Sequence, residues 1–134
     1  LSDFFGRNRL LYYDNLTKVR THNDINQWLK FFLSGLIETA KNGVTTFDSI
    51  LRLQKSVDSK IEQLGRRSAD ARSVMNYLYK RPIIEVDIVS ELIKKTPQTA
   101  YTLISELEKA EIIKEITGSY RNKLYVFSAY MDLF

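Results

Sequence analysis

Apolar side chains recur at helical spacing through the first half of the chain. Phe5, Tyr12, Leu16 and Val19 fall near one face, with Phe4 and Leu11 beside them, which predicts a helix over 3–20. Ser2 is its expected N-cap, and Lys18 and Arg20 suit the negative end of its dipole. Thr21-His22-Asn23 reads as a break. Asp24 with Gln27 forms the pattern of a capping box. Ile25, Trp28, Leu29, Phe32, Leu33, Leu36, Ile37 and Ala40 then follow at three- and four-residue steps, the cleanest amphipathic pattern in the sequence. Asn42-Gly43 is the expected end of this second helix, because glycine tolerates a left-handed C-terminal turn. Thr45 with Asp48 predicts the start of a third, with Phe47, Ile50, Leu51, Val57, Ile61 and Leu64 inside and Gly65 at its end.

From Ser68 the pattern changes. Ser68 is the expected cap of a helix burying Ala71, Val74, Met75, Leu78 and Tyr79, stopped by Lys80-Arg81-Pro82. The run 83–86 is β-prone. Asp87 is the expected cap of a helix through Lys95, with Ile88, Val89, Leu92 and Ile93 inside. Thr96 as N-cap and Pro97 at the first helical position open another, whose core face is Ala100, Leu103, Ile104 and Leu107. Strands follow over 112–116 and 123–127 around Thr117-Gly118-Ser119, and Ser128 is expected to cap a last helical turn. The segment 94–97 is too short to let its two helices separate, so they must cross as a helix-turn-helix, with the hairpin as a wing. The expected fold class is mainly α: a helical segment followed by a winged helix-turn-helix with a small β-hairpin wing. Arg66-Arg67 is the expected joint between a region 1–67 and a region 68–134.

Composition narrows the chemistry. The 134 residues are 44% hydrophobic and contain no cysteine, which removes disulfides, thiolate metal sites and cysteine nucleophiles and suits a reducing, cytoplasmic setting. No apolar run approaches the ~20 residues of a membrane span, and no signal peptide is visible. The chain opens on Leu1 with Phe4, Phe5, Leu10 and Leu11 close behind, which reads as a piece of a longer protein. Net charge is +4, but it is uneven. Residues 1–67 hold 11 Lys/Arg against 7 Asp/Glu, whereas residues 68–134 hold 9 of each. The basic excess thus lies outside the region with the DNA-binding shape. The first three helices also carry more bulky apolar surface than they can hide mutually, so they are expected to pack against a further body.

Phe4-Phe5 with Asn8-Arg9, Tyr12-Tyr13-Asp14, Leu16 and Val19-Arg20 resembles the helix that follows the active-site motif in Fic-family proteins. Trp28, Phe31-Phe32-Leu33, Gly35 and Thr39-Ala40 continue the resemblance. Glu111-Ile112-Ile113, Glu115, Thr117-Gly118, Arg121, Tyr125, Phe127 and Tyr130 resemble the winged-helix extension at the C-terminus of many members. The resemblance implies a parent enzyme that transfers AMP from ATP, with Mg, to a hydroxyl of a target protein. It also implies that residues 1–67 are C-terminal helices of its catalytic domain. The family's signature loop, HPFxxGNGRxxR, has no counterpart in this chain. His22 is the single histidine, and Thr21-His22-Asn23-Asp24 lacks the phenylalanine, glycines and arginine, so it reads as a surface or cap residue. Ser34 and Glu38 share the spacing of the family's self-inhibitory helix, but Thr39 follows and the match reads as chance. No catalytic residue, metal ligand or bound cofactor is expected within the 134 residues.

The candidate binding residues lie on the Pro97 helix and the wing. Gln98 suits an adenine edge, since its amide donates and accepts together. Thr99, Tyr101, Thr102 and Ser105 suit phosphates, and Lys109 lies on the same outward side. The wing offers Ser119, Tyr120, Arg121, Asn122 and Lys123, of which Arg121 and Lys123 suit the backbone or minor groove of duplex DNA. Against DNA stand Glu106, Glu108 and the neutral balance of the region, since counterion release favours a basic surface. Two partners therefore remain open: double-stranded DNA, or a protein target or second copy docking on the winged helix, with no membrane role.

Overall fold

The structure, a computed structural model of the chain, describes residues 1–118 and 122–134. It is mainly helical, with one small three-stranded antiparallel sheet. Contacts divide it into two compact units, Leu1–Asp48 and Ser49–Phe134, so the division falls inside a helix and the Arg66-Arg67 joint lies within the second unit.

The first unit holds Ser2–Arg7 (α1), Arg9–His22 (α2) and the first part of Ile25–Glu62 (α3). One helix over 3–20 was expected; two form. Asn8 leaves helical geometry at φ −109°, and both its backbone N–H and its side-chain Nδ2 donate to the Phe4 carbonyl. The side-chain amide adds a second donor to that carbonyl at the point where α1 ends. Ser2 is already helical and makes no capping bond, so Leu1 takes the cap position. Asp24 behaves as expected: its Oδ1 accepts from the Gln27 N–H at 3.1 Å, behind an Asn23 in the left-handed region.

A second correction concerns 42–46. The expected stop at Asn42-Gly43 and restart at Thr45 do not occur, and α3 runs unbroken for 38 residues. Gly43 has no positive φ, so it forms no C-terminal turn. Thr45 does not cap; its Oγ1 donates back to the Lys41 carbonyl at 3.1 Å. A helical glycine costs only about 1 kcal/mol, too little to break a ladder that its neighbours continue.

Aromatic rings join α1 and α2 to α3. Phe5 lies 5.2 Å from Tyr12 and Tyr12 5.5 Å from Trp28, ring centre to ring centre, while Phe4 meets Phe31 at 5.4 Å. Phe4 is buried directly over Gly35, where a Cβ would clash with the Cδ1–Cε1 edge of its ring.

The second unit has a core of its own. Val57 and Ile61 from the end of α3 enter it, and a turn at Gly65–Arg67 then leads into Ser68–Leu78 (α4). There follow Ile83–Glu85 (β1), Val86–Ile93 (α5), Pro97–Lys109 (α6), Lys114–Glu115 (β2), Leu124–Val126 (β3) and Ser128–Met131 (α7). The sheet order is β1-β3-β2, with Ile84 opposite Tyr125 and Glu115 also opposite Tyr125. This is the winged helix-turn-helix arrangement, with the sheet beside α6. Of the predicted core face of α4, Ala71, Val74, Met75 and Leu78 are buried, while Tyr79, just past the helix, is half-buried; on α6 Ala100, Leu103, Ile104 and Leu107 are all buried. Phe127 is fully buried at the centre.

Three expected caps are displaced by one or two positions. Ser68 and Ser128 are each the first helical residue, and Asp87 lies in the first turn of α5 behind Val86, with Glu85 as the extended residue before the helix. Asp87 there still suits the helix dipole. The strands are also shorter than expected, because Ile112 and Ile113 enter the core before the ladder begins.

Candidate nucleic-acid interface

The helix-turn-helix depends on a tight turn. Lys94 adopts the left-handed conformation at φ 53°, the Lys95 N–H donates to the Ser90 carbonyl at 3.2 Å, and Ser90 Oγ donates to the Lys95 carbonyl at 2.6 Å. Thr96 then caps α6 by accepting from the Thr99 N–H at 3.4 Å, with Pro97 at the first helical position. Burial of Ala100, Leu103, Ile104 and Leu107 fixes which side of α6 faces out.

That side carries most of the sequence candidates. Gln98, Tyr101 and Ser105 are exposed, and Tyr101 remains 46% accessible. Thr99 and Thr102 are half-buried, and their hydroxyls are engaged: Thr99 Oγ1 lies 3.0 Å from Thr96 Oγ1, and Thr102 Oγ1 donates to the Gln98 carbonyl at 2.9 Å. Thr102 has committed its proton and is a weaker phosphate donor than its sequence suggests, while in the Thr99–Thr96 pair either hydroxyl can donate. Lys109 is exposed at the far end of α6, beside a cavity of about 550 Å³ lined by Lys60, Gln63, Leu64, Glu106 and Glu111. It does not join the Gln98 cluster. Ser119, Tyr120 and Arg121 lie outside the described residues.

The wing meets α6 at a narrow cleft of about 40 Å³, where Tyr101, Asn122 and Lys123 come together with Glu85 and Asp87. Lys123 Nζ is bound to Glu115 Oε2 at 2.8 Å. This bond holds the Glu115 carboxyl below its ordinary range and raises the Lys123 ammonium above its own. Glu115 is thus a built-in rival to phosphate for Lys123. Glu115 is on β2 opposite Tyr125, and Lys123 directly precedes β3, a proximity that spacing alone could not disclose. The Glu115 contribution is complete above about pH 5 and is lost as pH falls through its depressed folded value, so acid releases Lys123.

Sequence reasoning missed three other contributors. Arg67 pairs with Glu106, neutralising one of the two carboxylates that weigh against DNA on α6. Lys60 Nζ donates to the Ala110 carbonyl at 2.7 Å and so satisfies the C-terminal end of α6 from α3. Lys95 pairs with Asp70 at 2.5 Å. All span 25 residues or more of chain and leave no local signal.

His22 is exposed at the end of α2, with Nδ1 2.7 Å from Thr21 Oγ1. Among the described residues no three His, Asp or Glu side chains converge as a metal site. No helix among them is long and apolar enough to cross a membrane. No protein-family profile matches the chain, and no curated protein matches it.

Proposed function

We propose that the chain is a regulatory region whose winged helix binds duplex DNA through the N-terminal half of α6 and the wing, and that it belongs to a Fic-type protein adenylyltransferase. The observation that carries the DNA reading is the open outer face of α6, with Gln98, Tyr101 and Ser105 uncovered next to a wing bearing Asn122 and Lys123. A helix of this placement enters a major groove with its first turns, while a wing follows the backbone. The parent activity, AMP transfer from ATP with Mg, rests on the sequence resemblance alone, and no residue of this chain is assigned a catalytic role.

The charge pattern predicts modest, salt-sensitive affinity. With about three or four phosphate contacts, the logarithm of the binding constant should fall with the logarithm of salt at a slope near −3. Fluorescence anisotropy of a labelled duplex measures this. Changing Gln98 and Arg121 together to alanine should lower affinity at least ~30-fold, at about 1–3 kcal/mol for the base contact and the remainder for the backbone contact. A chain that shows no salt-dependent duplex binding would leave the wing and α6 as a protein-docking surface. Glu85 and Asp87 in the cleft and the Lys123–Glu115 pair favour that second reading.

The wing pair supplies a further prediction. Glu115→Gln should free Lys123, raise duplex affinity about two- to fivefold and steepen the salt slope by nearly one unit. An unchanged slope in the same titration would show that Lys123 does not reach phosphate.

A further inference from the structure

Within the first unit, α3 has two apolar faces. One meets α1 and α2 through Trp28, Phe31, Phe32 and Gly35. The other is uncovered: Leu29, Leu33, Leu36, Ala40, Val44 and Phe47 are all exposed, Val44 and Phe47 by more than 60%. A helix apolar nearly all round is a buried helix, so this stripe awaits a cover.

The spacing of the stripe identifies one. Its steps are four, three, four, four and three residues. About Ala40 the pattern reads the same in both directions: Leu36 and Val44 stand four residues to either side, Leu33 and Phe47 seven. An antiparallel second copy, related by a two-fold axis at Ala40, would set Leu33 against Phe47 and Leu36 against Val44. The small Ala40 side chains would lie at the crossing, where they permit close approach.

Charge selects this arrangement over a parallel one. Lys30 and Asp48 lie on the same edge of the stripe, each one residue after a stripe position, and neither makes an ion pair among the described residues. An antiparallel two-fold brings like edges together, so Lys30 of each copy falls within a turn of Asp48 on the other. A parallel pair would set the Lys30 edge against the opposite edge, which carries Ile25, Phe32 and Gly43. The stripe exposes on the order of 600 Å² per chain, and Ile37 with the stems of Lys30 and Lys41 brings the patch near the ~800 Å² that each partner contributes to a standard interface.

We propose that the leucine stripe of α3 is the interface of an antiparallel homodimer, centred on Ala40. This goes beyond the DNA reading and does not depend on it: a second copy covers this stripe, and the exposed Leu10, Leu11 and Tyr13 of α2 remain for a further body. The test uses the full chain in sedimentation equilibrium, where the species should have twice the 15.7 kDa chain mass. Lys30→Asp should raise the dimer dissociation constant at least ~10-fold, and Lys30→Asp with Asp48→Lys should restore it to within about threefold. These positions are 18 residues apart on one helix, so only a second copy can link them. The cysteine-free sequence allows a covalent check: Ala40→Cys should oxidise to a cross-linked dimer, whereas Asn42→Cys, on the far side of the helix, should not. A monomer at about 100 μM chain would overturn the proposal. So would a charge swap that fails to restore association, or cross-linking at position 42 in place of 40.

Discussion

Phe127→Ala is expected to destabilise the winged-helix unit by about 3–5 kcal/mol, the range for emptying a fully buried phenylalanine site. Phe127 has no accessible surface. Its ring stacks on Tyr130 at 5.7 Å and meets the edge of Tyr79 at 5.5 Å. Its backbone N–H donates to the Pro82 carbonyl at 2.8 Å, so the residue joins the end of the central strand to the entry of β1. The site cannot collapse easily, because strand pairing on either side fixes the backbone. Domains of this size hold only about 5–15 kcal/mol in total, so the variant should be close to unfolding at 37 °C. Urea unfolding followed by far-UV circular dichroism measures the loss. Phe127→Leu should lose much less, since the volume is largely kept. A loss below about 1 kcal/mol for the alanine variant would mean that the core is not organised around this ring.

The second large effect is set by two glycines of one helix, and their expected signs are opposite. Alanine favours a helix over glycine by about 1 kcal/mol, so propensity alone predicts that both Gly35→Ala and Gly43→Ala stabilise α3. Gly43 has open space around its would-be Cβ and ordinary helical geometry, so its variant should gain close to that amount. Gly35 lies under the buried Phe4 ring, whose Cδ1–Cε1 edge its Cβ would clash with. Displacing that ring disturbs contacts with Phe5 and Phe31 and should cost about 1–3 kcal/mol, which outweighs the propensity gain. Trp28, the single tryptophan, stands in the same aromatic cluster and reports the outcome. Its emission should shift to the red in the Gly35 variant and stay in place in the Gly43 variant. A Gly43→Ala chain that is less stable than the parent would indicate a left-handed turn at 42–44 after all.

These glycines also show where the sequence was legible and where it was not. Thr96-Pro97 and the four-residue face Ala100, Leu103, Ile104, Leu107 carried the position and orientation of α6, because a cap, a first-turn proline and a core period agree there. Asp24 was legible for the same reason. Asn42-Gly43 misled because a glycine signal is permissive: it marks where a helix can end, and neighbours decide whether it does. Asn8 was missed because its side-chain amide bonds the Phe4 carbonyl where α1 ends, which no hydrophobic period records. At the site, exposure of Gln98, Tyr101 and Ser105 followed from helical period. The state of Lys123 did not, since the hairpin brings it to Glu115, eight residues away in sequence. Likewise, Thr99 and Thr102 differ from the exposed Ser105 in being half-buried and in local hydroxyl bonds, neither of which residue type reveals.

The surface of the chain that meets a duplex separates the DNA reading from its alternative. Amide hydrogen exchange of the full chain, with and without a saturating DNA duplex, reads this residue by residue. Added protection is expected over 96–105 and in the wing from Asn122 to Leu124, with 29–47 unchanged by DNA. Protection that appears on α3 while α6 and the wing exchange as before would contradict it.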